Sequence, residues 1–141
     1  MQPYGHAADQ YLMQRINGAS PEQLVALLLE GAQRFLGQTV KAMEARDIAL
    51  KARMVNRVSA IIEELVVRLN HEDGGEVVVN LTRIYDWWLH ELFDASNTNE
   101  PERLERISTQ MGSLKTTWEE FHQVKSTRAP QTAMASEGLV G

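Results

Sequence analysis

Ser20-Pro21-Glu22-Gln23 opens onto an unbroken apolar run, Leu24-Val25-Ala26-Leu27-Leu28-Leu29. The four residues spell a helix start. Ser20 Oγ can accept from the Gln23 backbone N–H, and the Gln23 side chain can accept from the Ser20 N–H. Pro21 falls at the first helical position, where its missing donor does no harm. The run that follows is apolar on too many sides for an ordinary surface helix. Either the helix is central in a bundle, or part of its outer side is reserved for a partner.

The rest of the chain reads as helix too. Its 141 residues make one domain, and only nine Gly and four Pro interrupt it. A first helix is predicted from Pro21 to about Arg46. Leu24, Leu28, Gly31, Phe35 and Ala42 form one stripe on it, and Val25, Leu29, Ala32, Leu36, Val40 and Met43 form a second beside it. Gly31 in mid-helix costs about 1 kcal/mol against Ala, which points to a close neighbour there. Asp47 can cap a second helix from Ile48 to about Leu69, with Ile48, Val55, Ile62 and Leu69 at heptad spacing. Asn70 to Gly75 breaks the pattern, and a glycine there can take the left-handed conformation that ends a helix.

A third helix, Glu76 to about Ala95, presents Val77, Val78, Leu81, Ile84, Tyr85, Trp88, Leu89 and Leu92 along one broad arc to be buried. Asn99 with Glu102 can cap a fourth, whose seam is Leu104, Ile107, Met111, Leu114, Trp118 and Phe121. Short links make sequence neighbours antiparallel. The expected fold is therefore all-α, an up-down-up-down four-helix bundle over 20–125. Residues 1–19 are a short segment packed on it, with too many apolar groups for a floating tail. From Ser126 to Gly141 small and polar residues dominate without a period, so 126–141 is expected to be disordered.

Composition narrows function. A net charge of −5 with no basic run argues against a nucleic-acid or anionic-membrane surface. The longest apolar run is six residues, far short of a membrane span. The N-terminus lacks the basic and apolar regions of a secretory signal, and there is no cysteine, which together fit a cytoplasmic protein. Glu119-Glu120-Phe121-His122 holds one Glu-x-x-His, yet a di-iron bundle needs two, and Trp118 and Phe121 take the core-facing positions. No phosphate loop or nucleophile setting is present. No enzyme, metal or cofactor is expected. Trp87 stands in the polar arc of its helix beside buried-arc Trp88. It is either an indole lying flat over neighbouring stems or a contact for a bound protein.

Three blocks carry a resemblance to a known family. One is Tyr11, Ile16 and Ala19-Ser20-Pro21-Glu22-Gln23-Leu24. Another is Leu28, Gly31-Ala32 and Phe35-Leu36. The last is Gly74-Gly75-Glu76, Asn80-Leu81, Tyr85 and Leu92. In this order and at these separations the chain resembles the flagellar secretion chaperones, the FliS family, over about Tyr11 to Phe121. It departs at Leu29-Glu30, where the family usually has an aromatic and an aspartate, and at Trp87-Trp88 and Asp94-Ala95-Ser96. The resemblance implies a cytoplasmic, non-enzymatic bundle that binds the C-terminal region of flagellin and keeps it from polymerising early. It also implies delivery to the flagellar type III export apparatus, with an export-gate component and other flagellar regulators as further partners. Tyr11, Ile16, Leu29 and Trp87 are the partner-binding candidates. The segment Met1–Asn17 is expected to act as a displaceable lid, and the protein to be a monomer or weak dimer. The competing expectation is a structural or dimerising adaptor whose spare apolar surface meets a second copy.

Overall fold

The computed structural model describes residues 14, 15, 17–69, 72 and 74–140, with side chains as far as residue 121. Four helices follow one another: α1 Pro21–Glu44, α2 Ile48–Val67, α3 Glu76–Asn97 and α4 Pro101–Val140. No strand occurs among the described residues. Two of the three sequence-predicted caps are formed, at Ser20 and at Asp47. Gln23 N donates to Ser20 Oγ at 3.1 Å while Ser20 N donates to Gln23 Oε1 at 2.9 Å. Leu50 N donates to Asp47 Oδ1 at 3.1 Å.

The chain divides into two units, Leu28–Leu114 and Met1–Leu27 with Lys115–Gly141. Within Leu28–Leu114 the contacts fix the topology. On α1 and α2, the Cβ position of Gly31 lies 3.6 Å from Ile61 Cδ1, and the Arg57 guanidinium stands over the Phe35 ring at 5.3 Å. A step forward on α1 is a step back on α2, so the pair is antiparallel. On α3 and α4, Glu91 meets Arg103 and Trp88 meets Gln110, which is antiparallel again. Gln33 Nε2 donates to Ser108 O at 2.9 Å, tying α1 to α4. Lys51 Nζ donates to Ser96 O at 2.9 Å and Asn99 Oδ1 at 3.1 Å, so the α1–α2 and α3–α4 turns share one end. This is the up-down-up-down bundle. Its core is Leu29, Ala32 and Leu36 of α1, Val58, Ile62 and Leu65 of α2, Tyr85, Trp88 and Leu92 of α3, and Leu104, Ile107 and Met111 of α4.

Both turns at that end use one device. Arg46 takes φ 57° and Asn99 takes φ 53°. Arg46 N reaches Met43 O and Asp47 N reaches Ala42 O; Asn99 N reaches Ser96 O and Glu100 N reaches Ala95 O. These paired bonds close off the last carbonyls of α1 and α3. The expected Asn99–Glu102 capping pair is therefore not formed. Asn99 is spent on terminating α3, its amide oxygen is taken by Lys51, and α4 starts at Pro101. The glycine pair is also used differently from expectation. Gly75, at φ 93°, precedes α3 as its cap, whereas α2 ends in ordinary right-handed geometry at Arg68.

Other expectations are corrected by position along the helices. The helical period puts Ile48, Val77 and Ile84 in core stripes, yet all three are exposed. Ile48 and Val77 occupy first turns, where the helix has not yet entered the core. Ile84 lies at the edge of the α3 arc, where it is only partly covered. The close approach expected at Gly31 is an ordinary contact. The tight one is Gly112, where a Cβ would come 2.9 Å from Gln33 Nε2.

In the second unit, Lys115 pairs with Glu119 at 3.4 Å, and Trp118 meets Phe121 edge to face at 6.1 Å. Phe121 is exposed and Trp118 only partly covered, so the buried seam of α4 stops short of them. The α4 backbone is helical to Val140, through the stretch where disorder is expected from Ser126. Pro130 interrupts that stretch and no apolar stripe runs along it.

Candidate partner-binding surface

The two adjacent indoles of α3 have opposite fates. Trp88 is buried, its Nε1 donating to Gln110 Oε1 at 2.8 Å, and its ring stands 5.6 Å from Tyr85. Burial pushes the Tyr85 phenol up to about 12. Trp87, rotated by about 100° from Trp88, is 43% exposed. It is not alone on its flank. Val77 is 68% exposed and Ile84 39%. Their spacings of seven and three residues place both on the flank of Trp87, in a strip about 15 Å long.

The strip ends at an ionic clamp. Glu91, one turn beyond Trp87, receives Arg103 in a two-pronged contact, Nε to Oε2 at 3.1 Å and Nη2 to Oε1 at 2.5 Å. Asp94 takes the same Nη2 at 2.7 Å, and Glu100 takes Nη1 at 3.0 Å. The Arg103 hydrogen bonds hold the Glu91 carboxyl below the usual glutamate range, against some desolvation, and Glu91 in turn holds Arg103 protonated. The clamp fixes the spacing of α3 and α4 beside the strip. A second exposed aromatic, Phe93, sits on the other flank of α3. With Leu89, His90, Asp94 and Asn97 it lines a shallow cleft.

Of the candidate contacts read from the sequence, Trp87 is exposed. Leu29 is not. It is 0% exposed, and with Ala32 and Leu36 it forms the buried stripe of α1. The apolar run has to give one side to the core, and Leu29 is on that side. Tyr11 and Ile16 lie outside the described residues, as does most of the proposed lid. The exposed strip is hidden in the sequence because Val77 and Ile84 fit the helical period of the core arc. The clamp is hidden as well. The available signal was Glu91 and Asp94 in the last turns of one helix and Arg103 in the first turn of the next.

Among the described residues no three His, Asp or Glu side chains converge on a metal position, and no helix is long and apolar enough to cross a membrane. What the described surface offers is apolar contact area on fixed helices.

The sequence pattern of the family described as flagellar protein FliS matches residues 4–125. The flagellar secretion chaperone FliS of Campylobacter jejuni is 30% identical over 116 residues, covering 82% of this chain and 91% of the relative. The flagellar secretion chaperone FliSB of Pseudomonas aeruginosa is 30% identical over 105 residues, 74% of this chain and 83% of the relative. That of Vibrio cholerae is 29% identical over 107 residues, 76% and 79%.

Proposed function

This chain belongs to the FliS family of flagellar proteins, and from that premise we propose that it is a cytoplasmic export chaperone for flagellin. It binds the flagellin C-terminal region, keeps it from polymerising early and hands it to the flagellar type III export apparatus. The observation that carries this reading is the exposed strip Val77, Ile84 and Trp87 on α3. Apolar side chains held on a rigid helix suit the apolar face of an amphipathic segment. A client segment that is disordered when free loses ordering entropy as it binds. Contact over a large area then gives only moderate affinity, and release at the export gate stays possible. No bond is made or broken in this work, and no cofactor or metal is called for.

Isothermal titration of the full-length protein with a flagellin C-terminal peptide tests the reading. Saturable 1:1 binding with a negative heat-capacity change, without nucleotide or metal, supports it. A tight dimer by light scattering, indifferent to the peptide, points instead to a dimerising adaptor.

A further inference from the structure

The outer groove between α1 and α2 has a different character from the α3 strip. Arg57 of α2 reaches over the Phe35 ring of α1, 5.3 Å from its centre. Arg34 of α1 reaches the other way, its Nη2 3.9 Å from the Gly31 Cβ position that Ile61 Cδ1 also approaches. Two guanidiniums thus lean into one groove from opposite helices. Arg53 precedes Arg57 by one turn and Lys41 follows Arg34 by two, so the helical period brings both to the same side. All four are exposed. Among the described residues none of the four takes part in an ion pair; Glu64 is taken by Arg68 at 3.0 Å, and Glu30 and Glu44 border the stripe. The floor is apolar, with Phe35 and Ile61 partly covered. On the Lys41 side Gly37 leaves bare helix, with nothing within 4 Å of a Cβ. In a chain of net charge −5 this is a local reversal of sign.

We propose that this α1–α2 groove docks an acidic amphipathic helix of a protein partner, at a surface distinct from the flagellin strip. Arg34 and Lys41 are two turns apart, about 10.5 Å, which matches carboxylates two turns apart on a second helix. Arginine forks engage carboxylates in two-pronged contacts, and the Phe35–Ile61 floor receives the apolar side of the same helix. A short helix fits better than a nucleic acid. A long polyanion would run past the stripe onto Glu30 and Glu44, one turn beyond Arg34 and Lys41 at its two ends on α1. In the order of the bundle, α1–α2 lies opposite α3–α4, the edge that carries Trp87 and the Arg103 clamp. A client and an acidic partner can be held at once. The proposal does not depend on the client being flagellin.

The probe is a synthetic amphipathic helix with Glu at positions i, i+4 and i+7 and Leu on the opposite face. It is titrated into the full-length protein, with a Glu→Gln copy of the peptide as control. The expected result is micromolar-range binding at about 50 mM salt, weakened by about tenfold at 300 mM. NMR shifts should be confined to α1 and α2, and the Gln copy should not bind. Arg34→Gln with Arg57→Gln should abolish binding. Arg53→Gln with Lys41→Gln, which leaves the Phe35 contact intact, should weaken it by about tenfold. Trp87→Ala should leave it unchanged. Binding that survives both double variants, or no binding at low salt, overturns the proposal. So does a single-stranded DNA of equal charge that binds more tightly than the peptide, or low-salt self-association abolished by the same variants.

Discussion

Trp87 and Trp88 set an exposed indole beside a buried one. Trp88 fills core and has a bonded indole N–H, so Trp88→Ala is expected to cost about 3–5 kcal/mol. Trp87→Ala should change stability by no more than about 0.5 kcal/mol. It should weaken flagellin-peptide binding by about 2 kcal/mol if the indole anchors the client. Chemical denaturation and titration calorimetry on the same two variants check both statements. Equal destabilisation by the two substitutions would put Trp87 in the core and remove it from the binding surface. A rotation of about 100° between neighbours on a helix is readable from sequence alone, which is why this pair was legible. Leu29 was not, because two apolar stripes run side by side on α1 and only tertiary packing chooses between them.

At the scale of elements, the helix starts were legible and the helix ends less so. Ser20–Gln23 and Asp47 carry side chains whose only good local partners are free helix N–H groups, so type and position announce a cap. The ends of α1 and α3 rest on left-handed residues that are not glycine. Nothing in Arg46 signals that conformation. Arg46→Gly is accordingly expected to leave the melting temperature unchanged or raise it, by up to about 1 kcal/mol of stability. Gly75→Ala should cost about 1–3 kcal/mol, since φ 93° with ψ −174° is open essentially to glycine alone. The Arg103 clamp gives the α3–α4 pair a pH dependence of known sign. The folded state depresses the Glu91 pKa, so its contribution is complete above the unfolded-state value and is lost as pH falls through the folded one. Arg103 stays protonated throughout. The melting-temperature gap between the native protein and Glu91→Gln should be constant near neutrality and close in acid, below the ordinary glutamate range. A gap that does not begin to narrow as pH falls below the ordinary glutamate range would show that the clamp is not what Glu91 contributes.

For the molecule as a whole, the bundle and its topology were legible because four periodic stretches joined by short links admit few other arrangements. The exposed apolar strip of α3 was only half legible. Val77 and Ile84 obey the same period as the core, and periodicity cannot tell a side chain that meets a neighbouring helix from one that waits for a partner. The basic α1–α2 groove was invisible for a related reason. Its four cations are spread over two helices and never form a run in the sequence. The N-terminal segment adds a prediction of its own. If it lies over the client groove in the empty chaperone, deleting residues before Asn17 should tighten flagellin binding and make the empty protein less soluble. Weaker binding by the truncated chain would instead make the segment part of the binding surface. The central claim, an apolar α3 strip that receives flagellin, is met most directly by titrating the flagellin C-terminal peptide into the native protein and into Trp87→Ala. The account predicts saturable 1:1 binding with negative heat-capacity change for the native chain, and about 30-fold weaker binding for a variant that melts at the same temperature. A native protein that gives no heat and stays separate from the peptide would contradict it.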